Sequence, residues 1–407
     1  MKHFLFCAAL AVCLLLAGCG AAAKTAPPAA ETGGALVFLA PCFAYGSGGE
    51  AGYYYIATRE NGDRLLRYVD YAALQDMALC SQPNCAHADE SCPAWFAWGG
   101  TGLSVFAGPG ALFLIHAGSP WSDWAFATYG AAALPRVEVC APDGSGRREL
   151  AAFGAAEAFS SLPAADGEAL YTIVTSYDDA RGQATQKIVA IDLATGAVRA
   201  DESVQRPELR IVGTWGRELI LQSGSGRNYY AAYDVDTNAL RELDAAGGEM
   251  AAAVGEGTLC RMDEATGAIR VVSVADGSVT QLATDLLDQC EPQWLRLTGV
   301  TEQGYVVQVA EADGYHNWLI DLAGGARRQP LQAQSTDAND KMRMLEIFAR
   351  QGENYLVSPS RSYHTTQTPG PDGVTYGEDT VDYDFALISA RDFWAGTANY
   401  RAVARIS

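Results

Sequence analysis

Short apolar runs with strand-like composition alternate with small polar clusters over most of the chain, and no obvious helices interrupt them. One unit recurs: an apolar run, an Asp, two residues, a turn-former and a second apolar run. It is seen as Val189-Ala190-Ile191-Asp192-Leu193-Ala194-Thr195-Gly196-Ala197-Val198 and as Ala232-Tyr233-Asp234-Val235-Asp236-Thr237-Asn238-Ala239-Leu240. It returns around Asp276-Gly277 and Asp321-Leu322-Ala323-Gly324. Gly196, Asn238, Gly277 and Gly324 fall where a tight hairpin requires positive φ, which these two residue types tolerate best. Weaker copies lie at Asp143-Gly144, near Asp70-Tyr71 and at Asp392.

Aligned on the aspartates, successive copies are 42, 42 and 45 residues apart, within the roughly 40–50 of a four-stranded propeller blade. A strand precedes each turn: Tyr53 to Thr58, Ala111 to Ala117, Ala169 to Ser176, Glu218 to Gly224, Thr258 to Met262, Gly304 to Glu311 and Asn354 to Ser360. The expected fold is therefore all-β, a β-propeller of seven four-stranded blades over residues 35–407. Two packed β-sandwiches are the competing arrangement, but nothing in a sandwich demands this period. Two segments break the repeat. One carries Cys80 to Cys92 and the tryptophans beyond it; the other, 361–380, is rich in Thr, Gly, Pro and Asp and reads as a long loop.

The N-terminus follows a different pattern. Lys2 and His3 precede an uncharged apolar run from Phe4 to Leu16, shorter than the ~20 residues that span a bilayer as a helix. Small residues and a cysteine follow, the layout of a cleavable export signal. Leu16-Ala17-Gly18-Cys19 resembles the lipobox of bacterial lipoprotein precursors. That resemblance implies a signal peptide over 1–18 and lipidation of Cys19 with diacylglycerol and palmitate-type chains. Residues 19–34 are small, Pro-bearing and aperiodic, and read as a disordered tether. The expected location is the cell membrane, lipid-anchored and facing outward.

Charge narrows the partners. Losing Lys2 with the signal leaves 27 of the 28 basic residues against 48 acidic ones. No concentrated basic footprint is present, so nucleic acid is not expected as a partner.

Cys80, Cys85, His87 and Cys92 form C-x4-C-x-H-x4-C. Three thiolates and an imidazole suit a structural zinc, and the extended Cys85-x-His87 pair directs both ligands to one side. An oxidising exterior favours disulfides from the same residues, and an anaerobic one favours free thiols; the sequence leaves all three open. Cys140 and Cys260 sit in strand-like runs and read as small buried hydrophobes. In the aromatic run Trp95, Phe96 and Trp98, the strand-adjacent Trp95 and Trp98 read mainly as core. Trp121, Trp124 and Phe126 fall near Pro120, Ser122 and Asp123, a loop context in which exposed rings could meet a ligand or partner. Asp234 to Asn238 superficially resembles a calcium loop but is already accounted for as a hairpin turn.

The Asp-x-x-Thr-Gly turns, the Leu79-Cys80-x-x-Pro83-x-Cys85-x-His87 stretch, and Ala386-Leu387-Ile388-Ser389 with Tyr400 resemble exported β-propeller lipoproteins of Gram-positive, clostridial type, loosely similar to TolB-like propellers. The resemblance implies a fold and an address but no reaction. No G-x-S-x-G elbow, P-loop, H-E-x-x-H or dinucleotide fingerprint is present. The expectation is a non-catalytic binding or scaffolding propeller with a protein or glycan partner. The alternative is a surface hydrolase or lyase acting on glycans or peptides, its carboxylates converging from distant blades.

Overall fold

The computed structural model describes residues 34–406, apart from 40–45, 120–122, 179–182, 205, 225–228, 245–249, 256, 264–267, 284–295, 302–303, 312–313, 322–326, 329–331, 335–341 and 370–373. The described residues from Ala35 onward form one compact unit. The signal, Cys19 and the tether as far as residue 33 lie outside the described residues. No helix among the described residues is long and apolar enough to cross a membrane.

This unit is a seven-bladed β-propeller, and each blade is an antiparallel sheet of four strands in sequence order. Blade 1 contains Gly46–Gly48, Gly52–Thr58, Arg64–Asp70 and Gln75–Ala78. Blade 2 contains Leu103–Gly108, Ala111–His116, Arg136–Cys140 and Arg148–Ala152, and blade 3 starts at Ala164–Ala165 and ends at Val198–Asp201. Blades 4, 5 and 6 span Arg210 to Asp244, Met250 to Ala283 and Arg296 to Arg328. Blade 7 contains Ile347–Gln351, Asn354–Pro369, Thr375–Ser389 and Arg401–Ala402. All seven strands expected before the turns are the second strands of their blades.

Side-chain alternation gives each sheet two apolar faces, which are buried only by stacking blade on blade. The described core accordingly falls into seven clusters, one per interface. Tyr54, Leu66, Leu112 and Leu114 join blades 1 and 2, for example, while Tyr53, Val69, Phe348 and Leu387 join blade 7 back to blade 1. First strands of neighbouring blades meet around the axis, where space is scarce: a Cβ on Gly213 of blade 4 would lie 2.6 Å from Val254 of blade 5. An additional strand, Val37–Phe38, pairs with Ala164–Ala165 on this axial side of blade 3. It is tied to blade 4 as well, Leu36 N–H donating to the Gly216 carbonyl and the Thr214 hydroxyl to the Leu36 carbonyl.

The ring closes at the C-terminus. Ala404–Arg405 runs parallel to Gln75–Ala78 on the outer edge of blade 1. Asp76, buried there, accepts from Tyr55 (2.8 Å), Arg67 (2.9 Å) and Arg405 (3.2 Å).

The recurring turns join third to fourth strands. Asp192 Oδ1 accepts the N–H groups of Ala194 and Thr195, and Asp234 Oδ1 those of Asp236 and Thr237. Asp234 is thus occupied as a turn residue. The alignment on Asp276 needs correction: Gly277 N–H donates to the Ser273 carbonyl as Gly196 N–H does to Asp192, so Ser273 occupies the aspartate position. Asp276 instead caps Ser278 N–H, the role Thr195 plays for Ala197. The invariant of the repeat is the positive-φ residue, with φ of 73° at Gly196, 58° at Asn238 and 70° at Gly277.

The reading of 361–380 as a loop is overturned. Apart from residues 370–374 the segment is strand, the distal half of a hairpin whose register runs from Ser360↔Asp384 to Pro369↔Thr375. Polar composition masked it, because ladder pairing satisfies a backbone without apolar side chains, and Thr and Tyr favour strands. The hairpin lies against blade 1, Gln367 N–H donating to the Glu60 carbonyl at 2.7 Å, with Thr366 buried.

Candidate functional site

Two features converge at the interface of blades 1 and 2. The first is the cysteine loop. Gln75–Ala78 and Trp95–Phe96 both pair with Arg64–Asp70, so residues 79–94 leave the sheet and return to it. Asn84 (φ 57°) and His87 (φ 52°) adopt the left-handed conformation that non-glycine residues seldom visit. Those two turns fold the loop inward. Cys80, Cys85, His87 and Cys92 each present a ligand atom, and all four atoms lie within 4.8 Å of one another. His87 Nδ1 stands 3.2 Å from Cys92 Sγ.

Cys80, Cys85, Cys92, Cys140 and Cys260 form no disulfide among the described residues, and Cys140 and Cys260 are buried as expected. Cys42 and Cys290 lie outside the described residues. The His87 backbone N–H, donating to the Cys85 sulfur, holds that thiol below its usual range. Burial pushes Cys92 up to about 12, against a donated N–H from Ala94.

The second feature is a cavity of about 170 Å³ beside this loop, bounded by Arg64, Trp95, Phe96, His116, Arg136, Glu138 and Arg147 among others. Strand alternation delivers three of these residues: Arg136 and Glu138 project from one face of their strand, opposite His116. Glu138 is shared by His116 (3.2 Å), Arg136 (3.1 Å) and Arg147 (3.5 Å). Burial pushes the Glu138 carboxyl up, but these neighbours outweigh it and bring it to about 2. Burial lowers the His116 imidazole, which keeps it neutral near pH 7.

Arg64 has a different environment. Its guanidinium donates to the Thr101 carbonyl at 2.8 Å and lies 4.4 Å over the Trp98 ring. Burial lowers its pKa to about 10, with distant attraction from Glu378 opposing. Among the described residues no carboxylate reaches it at ion-pair distance. A protein of formal charge −20 thus keeps a pocket lined by three guanidiniums and two carboxylates, Glu90 and the committed Glu138.

The expected aromatic contact residues are placed in part. Trp121 lies outside the described residues. Trp124 and Phe126 belong to a short helix, Asp123–Tyr129, rather than to the loop expected there. Phe126 is 49 % exposed. Through Ala125 and Tyr129 the helix packs on Gly100, next to Gly99 and Thr101 of the cavity lining. Trp95 and Trp98, expected in the core, are half-buried, Trp95 donating to Asp63 at 3.3 Å, while Phe96 between them is buried.

A larger cavity of about 570 Å³, bounded by Thr175, Tyr177, Gln186, Arg206 and Leu209 among others, lies by blade 3. Two of its polar residues are engaged locally: Gln186 bonds both the N–H and the carbonyl of Leu209, and Arg206 lies on Tyr229. Sequence reasoning missed Arg64, His116, Arg136, Glu138 and Arg147, which belong to no motif. The one local signal is the Arg136-x-Glu138 alternation on a strand.

No protein-family model matches the chain, and no curated protein matches it. Similarity is found with solved propeller structures. Puromycin hydrolase superposes with a TM-score of 0.50 at 15 % identity over 89 % of this chain and 53 % of that one, so the chain spans about half its length. TolB from Acinetobacter baumannii gives 0.37 at 13 % identity, covering 69 % of this chain and 64 % of that one. An oligogalacturonate lyase in complex with manganese gives 0.45 at 10 % identity, covering 89 % and 99 %. The propeller neighbours thus include a hydrolase, a lyase and TolB. At these identities the likeness concerns the fold.

Proposed function

We propose that this protein is a lipid-anchored, extracytoplasmic binding propeller of the clostridial lipoprotein kind, which takes a carboxylate group of an envelope glycan or peptide into the cavity between blades 1 and 2. One observation carries the reading: in an otherwise acidic molecule the lining holds three guanidiniums, Arg64, Arg136 and Arg147, against two carboxylates, Glu90 and Glu138, and Glu138 is already engaged by His116, Arg136 and Arg147. Guanidinium groups recognise carboxylates through paired, charge-assisted hydrogen bonds. The cavity holds roughly five waters' worth of volume, enough for one acidic group and its immediate neighbours. The export signal and the lipobox at Cys19 support the address.

Binding fits this site better than hydrolysis by a protonated carboxyl group. Every described carboxylate with a clear pKa shift moves down, toward the charged form; Glu138, Asp166 and Asp201 are examples. A general acid needs the opposite.

Full-length protein is to be titrated calorimetrically at low salt with a short oligouronide, a glutamate-rich peptide and a neutral oligosaccharide. Acidic probes are expected to bind and the neutral one not to. Arg64→Ala and Arg136→Ala, each verified by thermal melting, should weaken binding about ten- to hundredfold. Equal affinity for neutral and acidic probes, or unaltered binding by both variants, refutes the cavity assignment. Separately, metabolic labelling with a clickable fatty acid should mark the protein and fail to mark Cys19→Ala. A labelled variant removes the anchor.

A further inference from the structure

The cysteine loop carries an inference that does not depend on the cavity's ligand. We infer that Cys80, Cys85, His87 and Cys92 bind one Zn²⁺ in a closed tetrahedral site, which fastens the outer edge of blade 1 and fixes the aromatic wall of the cavity.

Zinc with thiolate bonds of about 2.3 Å in a tetrahedron needs sulfurs about 3.8 Å apart. Four ligand atoms mutually within 4.8 Å surround a centre of that size. The set of three thiolates and one imidazole is soft and nitrogen-bearing, which suits zinc and excludes the oxygen-seeking calcium and magnesium. Four protein ligands leave no open position for water or substrate, so the role is structural rather than catalytic.

Surrounding bonds orient the ligands before any ion enters. The His87 N–H donates to the Cys85 sulfur. Cys92 N–H donates to the Asp89 carbonyl at 3.0 Å, and Asp89 Oδ1 in turn accepts from Ser91 N–H and Oγ. Arg147 donates to the Pro93 carbonyl at 2.8 Å and lies over Phe96 at 4.4 Å, linking the loop to blade 2. Such partners are what tune and hold a metal's ligands.

The position gives the ion its purpose. Residues 79–94 contain no strand of their own, yet they lead directly into Trp95 and Phe96. A cross-link at their centre sets where both rings stand. Cys92 is 1 % exposed and packs with Leu65, Leu79, Ala94 and Cys140, so the metal would sit at the edge of the core between blades 1 and 2. Binding releases the thiol protons, so uptake weakens in acid.

The test uses full-length protein purified under reducing conditions without chelator. Elemental analysis should find about one zinc per chain, falling below about a tenth in Cys85→Ser and His87→Asn. Since those variants could misfold, wild-type protein is also stripped and reloaded with Co²⁺. Thiolate-to-cobalt charge transfer with the ligand-field bands of tetrahedral coordination is expected, together with protection of three cysteines from alkylation. Metal-free protein that fails to take up Zn²⁺ or Co²⁺ after reduction overturns the inference. So does stoichiometric iron or copper, or a disulfide between any two of the three cysteines. None of these results bears on carboxylate binding, which is read by calorimetry.

Discussion

Single residues in the cavity between blades 1 and 2 carry a pH signature. His116 is buried and its folded pKa is lowered, so on acidification through about 6.5 the unfolded chain takes up a proton that the folded chain refuses. Stability from this source is complete above that pH and is lost as pH falls below it. Glu138 acts in the same direction at lower pH: its folded value of about 2 lies below the ordinary 4.5, so its contribution is present above 4.5 and is lost toward 2. Solvent screening on its open side limits that contribution to on the order of 2 kcal/mol. The groups facing the pair are Arg136, Arg147 and, through longer-range repulsion of the imidazole, Arg64. Urea unfolding at pH 7.5, 5.5 and 3.5 should show two acid-side losses. His116→Gln is expected to flatten the first and Glu138→Gln the second. Parallel pH curves for wild type and variants would mean that neither group is linked to folding.

Among the elements, the third-to-fourth-strand turns show how one conformation is used under different constraints. Gly196 and Gly277 both have positive φ, but a Cβ on Gly196 would strike the Leu150 carbonyl of blade 2, whereas one on Gly277 meets nothing. Gly277→Ala should therefore cost about 1 kcal/mol, the conformational penalty alone. Gly196→Ala should cost about 2 kcal/mol or more, because the blade contact must also give way. Thermal or urea unfolding ranks the two, and an equal cost would show that the Gly196 turn is not pressed against its neighbour. The positive-φ positions were legible from glycine and asparagine alone. Ser273 was not, because only backbone hydrogen bonds reveal which residue occupies the first turn position. The distal half of the hairpin, within 361–380, escaped for a related reason, since threonine-rich strands paired with each other leave no apolar period to read.

For the whole molecule, a ring of blades must be closed, and Asp76 is central to that closure. It joins blade 1 to the C-terminal strand through Arg405, and Arg405 also reaches Asp382 of blade 7 at 3.2 Å. Removing one partner from a buried ion network leaves the others uncompensated. Asp76→Ala should therefore cost about 3–5 kcal/mol in urea unfolding, and a loss under 1 kcal/mol would place closure elsewhere. The sequence by itself determined the all-β class, the repeat of the blades, the second strand of each and the residues of the cysteine loop, while the structure settled the count at seven. These follow from local chemistry: side-chain period, turn conformation and ligand spacing act between near neighbours in the chain. Only the tertiary structure decided that four ligand atoms share one centre, and that Arg64, His116, Arg136, Glu138 and Arg147 line one cavity. They come from different strands and loops of two stacked blades, and a period read along one strand carries no record of which face its neighbour will cover.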